Sequence, residues 1–121
     1  MNNSAKTGNW GEQIVADRLR AEGCQILERN WRCGRYEIDI IALKDCCLRF
    51  VEVKTRSAMG WTRPEDAVTQ SKCRALHRAA SAYMASRYRD FDFRFDLAAV
   101  EYYPDGSWEL RYIERVFESH W

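Results

Sequence analysis

The chain alternates between two hydrophobic periods. Residues 8–22 follow helical spacing, with Trp10, Ile14, Val15 and Leu19 making a wide apolar stripe. Gly23 is placed to end that helix. Residues 25–31 read as a strand, and residues 32–35 as a loop with Gly34 available for a tight turn. Two apolar segments follow, Glu37-Ile38-Asp39-Ile40-Ile41 and Phe50-Val51-Glu52-Val53-Lys54, parted by the polar break Lys44-Asp45-Cys46. That is the pattern of a β-hairpin over 36–55. A loop over 56–64 carries Met59, Gly60 and Trp61, and Thr69 is placed to N-cap a second helix over 70–87. Leu76, Ala79, Ala80, Tyr83 and Met84 form the apolar face of that helix. Residues 92–102 predict a strand with Phe91, Phe93 and Phe95 on one face, Pro104-Asp105-Gly106 a turn, and residues 108–116 the returning strand. The order α-βββ-α-ββ predicts an α/β fold with a mixed sheet flanked by helices. The 121 residues suit a single domain, with polar residues 1–7 loose at the N-terminus.

The hairpin carries the chemistry. Strand alternation puts Asp39 on one face with Glu37 and Ile41, and Glu52 on one face with Phe50 and Lys54. If Asp45-Cys46 is the turn, Lys44 faces Cys47, Asp39 faces Glu52 and Glu37 faces Lys54. Two carboxylates then oppose each other with Cβ atoms roughly 5 Å apart. A turn at Lys44-Asp45 instead pairs Asp39 with Phe50 and leaves Glu52 diagonal on the same face. A three-residue loop sends the two acids to opposite faces. Opposed carboxylates repel, and a bridging divalent cation removes the repulsion. An Asp, a Glu and a nearby Lys around a hard metal is the minimum equipment for hydrolysing a phosphodiester. The competing reading is a solvated face of an antiparallel sheet. Against it, Ile38, Ile40, Ile41, Phe50, Val51 and Val53 are too apolar for a wet edge.

Two further residues bear on this site. Lys72 lies four positions before Leu76, so it points along the apolar stripe toward the sheet, whereas Arg74 and Arg78 point outward. A lysine on that side pairs with an anion (Asp39, Glu52 or a bound phosphate) or snorkels around the helix end. Glu12 falls at the edge of the first helix's stripe. It either aims at the sheet or sits in water near a favourable helix N-terminus. Trp61, on a basic loop, is open to stacking on a base or to covering the core.

The net charge of +1 is unevenly spread. Residues 1–53 carry eight basic and eight acidic side chains, residues 54–94 nine and four, and residues 95–121 two and six. A basic block beginning at Lys54, beside metal-binding carboxylates, suits a polyanion such as nucleic acid, the alternative being solvated surface charge. Five cysteines, at 24, 33, 46, 47 and 73, form no C-x-x-C and no disulfide framework. Reduced thiols in the cytoplasm are the expectation. A zinc site from Cys33, Cys46, Cys47 and His77 has no metal-ligand spacing. No apolar run is long enough for a bilayer and no secretory segment is expected.

The ordered set of motifs resembles a known family. Asp39, twelve residues, then Glu52-Val53-Lys54 is similar to the D-(E)-x-K core of restriction-endonuclease-like nucleases. More closely, the chain resembles the YraN family, placed in that superfamily. The resemblance rests on Gly11-Glu12, Asn30-Trp31-Arg32, Glu37-Ile38-Asp39-Ile40-Ile41, Phe50-Val51-Glu52-Val53-Lys54-Thr55-Arg56, Ala67-Val68, Ser71-Lys72 and Phe95-Asp96-Leu97-Ala98-Ala99-Val100. One position departs: the family usually has glycine before its E-I-D motif and this chain has Tyr36. That bears on how closely a ligand approaches the backbone there, not on the acids.

The resemblance implies a restriction-endonuclease-like core and a Mg²⁺-dependent endonuclease, with Mn²⁺ as substitute. Asp39 and Glu52 are the expected metal ligands; Lys54 and Glu12 complete the catalytic set. Lys72, Arg56, Arg32 and Gln70 are the candidate substrate-binding residues. The implied partner is nucleic acid, DNA in structured or branched form, acted on by a homodimer. The alternative function is a nucleic-acid-binding module without catalysis.

Overall fold

The computed structural model describes residues 3–60, 63 and 69–117. Trp61, Ala67-Val68 and His120 lie outside the described residues. The elements run α1 (Asn3–Ala21), β1 (Gln25–Cys33), β2 (Tyr36–Lys44), β3 (Cys47–Ser57), α2 (Gln70–Met84), β4 (Asp92–Tyr102) and β5 (Trp108–Ile113). The expected element order is therefore observed. The helix α1 begins at Asn3, not at residue 8, so the segment expected to be loose is helical from its third residue. Ala5 and Lys6 are good helix formers, which suits a longer helix.

Asp45 and Cys46 both take positive φ, 52° and 60°. Those are the torsions of a type I′ turn, whose twist matches that of the flanking strands. Lys44 accordingly pairs with Cys47, and the β2–β3 ladder runs back to Ile40 opposite Val51. Of the three registers open in the sequence, this is the one with the turn at Asp45-Cys46, and its ladder ends one pair short of Asp39 and Glu52.

The sheet order is β1-β2-β3-β4-β5. Every neighbouring pair is antiparallel except β3 and β4, which are parallel. A parallel pair needs a crossover, and α2 lies in the chain between the two strands. Each face of the sheet is covered by one helix. Val15, Ala16 and Leu19 of α1 pack on Ile40, Ala42, Val51, Ala98 and Val100. Cys73, Leu76, Ala79, Ala80 and Met84 of α2 pack on Ile38, Ile41, Leu48, Phe50 and Phe95. This α/β arrangement, a five-stranded mixed sheet flanked by helices, fits the restriction-endonuclease-like core. Trp10 departs from expectation: it is 39% exposed rather than part of the core stripe. Among the described residues, no helix is long and apolar enough to cross a membrane.

Two irregularities place the site. Ile40 and Ala42 belong to the α1 side of the core and Ile41 to the α2 side, as alternation requires. Ile38 should then join Ile40, yet it packs on the α2 side. On β1, Arg29 reaches Gln13 of α1 while Trp31 packs against Tyr83 of α2. Both strands thus change phase at one level, that of Asn30 and Asp39. Asn30 has φ 54°, a left-handed conformation that asparagine tolerates better than most residues. The second irregularity is at β3. Beyond Ile40 and Val51 the ladder yields to a side chain: Val53 N–H donates to Asp39 Oδ2 at 2.8 Å.

Candidate active site

The strands β2 and β3 therefore part at Asp39, with its carboxylate in the fork. Val53 N–H holds one oxygen, and burial deprives the group of water. Burial, together with the charges of Glu12, Glu52 and Glu37, pushes the Asp39 carboxyl up to about 6; the Val53 bond opposes the shift. Three acids act on a fourth, and burial outweighs the single donor.

Glu12 enters from the α1 side because α1 comes unusually close to β3 at the preceding residue. A Cβ on Gly11 would lie 1.8 Å from Thr55 Oγ1, so any other residue would force Thr55 aside. The Glu12 side chain is only 14% exposed and sits 3.9 Å from Arg29 Nη2. Burial raises its pKa, Arg29 lowers it, Glu37 raises it and Asn30 lowers it. With its amide nitrogen turned toward the acceptors, Asn30 donates to Glu12 Oε1 and to Glu37 Oε1, each at 3.1 Å. Asn30 thus ties together two acids that surround Asp39. Of Glu12's two possible orientations, the inward one is observed.

From the α2 side, Glu52 Oε1 is the focus of two ammonium groups. Lys54 Nζ lies 3.3 Å away, and Lys72 Nζ forms an ion pair and hydrogen bond with the same oxygen. Lys72 is in the first turn of α2, where Thr69 Oγ1 accepts its backbone N–H at 3.1 Å, so the N-cap also positions the lysine. Its inward direction follows from helix periodicity, and Arg74 and Arg78 are exposed as the same periodicity requires.

The other candidate residues lie further out. Arg32 Nη2 is 2.7 Å from Glu37 Oε2, with the arginine side chain 75% exposed. Arg56 is half-buried opposite Glu101 in the β3–β4 register, with its guanidinium near Gly60. Gln70 is exposed at the start of α2. Tyr36, at the usual glycine position, is exposed where β2 begins, paired with Cys33.

Sequence reasoning passed over Asn30 and Glu37 as site residues. The signal for Asn30 was its presence inside a strand, where asparagine is depleted. It also gave no role to Asp96, the one buried charged residue among those described. Asp96 accepts from Tyr112 OH at 2.5 Å, Arg94 Nε at 3.0 Å and Arg115 N at 3.0 Å. It fastens β4 to β5 and the turn that follows, and every donor is local to that end. The five cysteines are all free thiols. Among the described residues, no three Asp, Glu, His or Cys side chains converge into a ready metal cage.

Comparison with known proteins places the chain in a family. The family model described as "Uncharacterised protein family UPF0102" matches residues 11–100. A UPF0102 protein of Chlorobium chlorochromatii is 44% identical, covering 99% of this chain and 95% of that protein. A UPF0102 protein of Symbiobacterium thermophilum is 42% identical over 96% of this chain and 99% of its own length. One of Clostridium perfringens is 38% identical over 91% and 92% respectively. Among solved structures, Pyrococcus furiosus SfsA in complex with Ca²⁺ is similar over 92% of this chain and 63% of that chain, with 16% identity and a TM-score of 0.45.

Proposed function

The chain belongs to the UPF0102 (YraN) family, and from its strand-fork carboxylates we propose that it is a metal-dependent nuclease hydrolysing phosphodiester bonds. The observation that carries this reading is Asp39: a half-buried carboxylate with one backbone donor, under the charge of three other acids and pushed up to about 6. Such a cluster holds surplus negative charge that a cation relieves. All the donors are hard oxygens, and Mg²⁺ takes one or two carboxylates and keeps several waters. A pair of carboxylates matches that habit better than a closed cage does.

Asp39 and Glu52 would hold Mg²⁺, or Mn²⁺ in its place, with Glu12 contributing directly or through a water. A bound cation would supply Lewis-acid charge neutralisation at the phosphate and a more acidic water. The protein's own residues do the rest. Val53 N–H fixes the Asp39 carboxylate, so one oxygen always faces the fork. Lys54, held beside Glu52, orients the attacking water and stabilises charge growing on the phosphoryl oxygens. Lys72 exchanges Glu52 for a flanking phosphate, aided by the positive N-terminus of α2. Arg32, Arg56 and Gln70 extend the anionic contact surface outward. DNA in structured or branched form is the proposed substrate.

One observation favours the alternative, a nucleic-acid-binding module without catalysis. Lys54 and Lys72 already neutralise Glu52, so that acid is balanced without a metal. Calorimetric titration with Mn²⁺ separates the two. The nuclease reading expects a binding isotherm that Asp39→Ala abolishes. No heat of binding from the unaltered chain would leave the non-catalytic module standing.

A further inference from the structure

The candidate active site leaves one surface feature unexplained. Trp10 of α1, Tyr102 of β4 and Trp108 of β5 are 39%, 37% and 45% exposed. Single exposed apolar residues are ordinary, but three large aromatics meeting from three elements are not. The rings of Trp10 and Trp108 meet edge to face, centroids 6.0 Å apart at 88°. Trp108 and Tyr102 are directly opposite in the β4–β5 ladder and so share one sheet face. Beside them is an apolar hollow of about 380 Å³ lined by Thr7, Trp10, Tyr102, Tyr103 and Gly106. Thr7 and Tyr102 also line a second hollow of about 410 Å³, shared with Glu12, Val53, Lys54 and Thr55. The aromatic surface thus adjoins the hollow that holds Glu12 and Lys54.

We infer that Trp10, Tyr102 and Trp108 form a stacking platform for the unpaired bases of a nucleic-acid strand whose backbone passes Lys54. This rests on the nucleic-acid reading of the site above. Chemistry selects the occupant. The hollow at Lys54 offers an ammonium group that a phosphate can take over from Glu52, and the other end presents aromatic faces and edges. A nucleotide strand combines those two characters at that spacing, and every base has a π-face. Bases in a duplex are already stacked on each other, so the platform selects bases that are unpaired. The exposure of Trp10 follows directly: its position continues the α1 stripe, yet it sits beyond the core residues Val15 and Leu19, against Trp108.

The test is a binding comparison in EDTA, so that cleavage plays no part. Fluorescence anisotropy compares labelled oligo(dT) with a strand of equal length and charge built from abasic sites. The unaltered chain should bind oligo(dT) about five-fold or more tightly for each base that stacks. Trp108→Ala and Trp10→Ala should each lower that preference with little effect on the abasic strand, and Trp108→Phe should largely restore it. Equal affinity of the unaltered chain for both strands would overturn the platform while leaving the nuclease reading intact. So would equal losses on both strands in the Trp108→Ala variant. Concentration-dependent self-association that Trp108→Ala abolishes, without base preference, would assign the surface to a second copy instead. Binding to neither strand would overturn the platform and the nucleic-acid reading together.

Discussion

At the scale of single residues, Asp39 is where burial and charge conflict most. Its pKa rises from an ordinary 3.8 to about 6 in the fold. Between those values the folded state holds a proton that the unfolded state has released. Stability in metal-free buffer therefore falls as pH rises from about 4 to about 6 and stays lower above. The loss is on the order of 3 kcal/mol. Asp39→Asn keeps an oxygen for Val53 N–H and removes the charge. It should be more stable than the unaltered chain near pH 7 by on the order of 1–2 kcal/mol and little different near pH 4. Urea denaturation at the two pH values reads this. His77, whose pKa burial lowers, acts in the opposite sense but equally in both proteins, so the difference between their curves reports Asp39 together with its charge coupling to Glu12. Equal stability of the two at both pH values would show that the carboxylate is not strained by its neighbours. The direction of Lys72 was legible from helical spacing alone, because the apolar stripe of α2 is regular. Asn30 was not legible as a site residue, because its left-handed backbone and its bond to Glu12 depend on a neighbouring strand and helix.

At the scale of elements, the placement of Glu12 depends on how closely α1 approaches β3. Gly11 permits the approach, and an added Cβ would meet Thr55 Oγ1 at 1.8 Å, Cβ at 3.0 Å and Cγ2 at 3.1 Å. In an isolated helix Gly→Ala gains about 1 kcal/mol. Here overpacking should reverse the sign, and Gly11→Ala should cost about 1–3 kcal/mol. Thr55→Ala removes the closest atoms, so the double variant should recover much of that loss. A double-mutant cycle with no coupling would show that α1 is not seated on Thr55. Sequence patterning delivered element order and the β4 boundaries, because β4 is a largely apolar run closed by the turn Pro104-Asp105-Gly106. It missed the phase change at Asn30 and Asp39, since a strand that switches faces preserves no simple alternation. It also extended α2 to residue 87 and β5 to residue 116; the observed ends are Met84 and Ile113. At β5 the chain turns away where Arg115 takes φ 53° and Val116 N–H donates to Phe95 O, a tertiary bond with no local signature.

At the scale of the whole molecule, charge and topology converge. The block 54–94, with nine basic and four acidic residues, begins beside the acids and includes Lys72. Affinity for nucleic acid should fall steeply between low and physiological salt, with a log–log slope near −0.9 for each duplex phosphate contacted. Affinity unchanged by salt would point to another kind of partner. Lys72→Ala should weaken binding or cleavage more than Arg78→Ala on the outer face of the same helix, with little change in unfolding midpoint. Equal effects would make Lys72 ordinary surface charge. The central claim is that Asp39 and Glu52 form a hydrolytic metal centre. The direct measurement is incubation of the unaltered chain and its Asp39→Ala variant with linear, single-stranded, flapped and four-way-junction DNA, in Mg²⁺, in Mn²⁺ and in EDTA. The prediction is cleavage of at least one substrate by the unaltered chain in either metal, lost in EDTA and in the variant. Binding without cleavage of any substrate, or cleavage that survives Asp39→Ala, would contradict it.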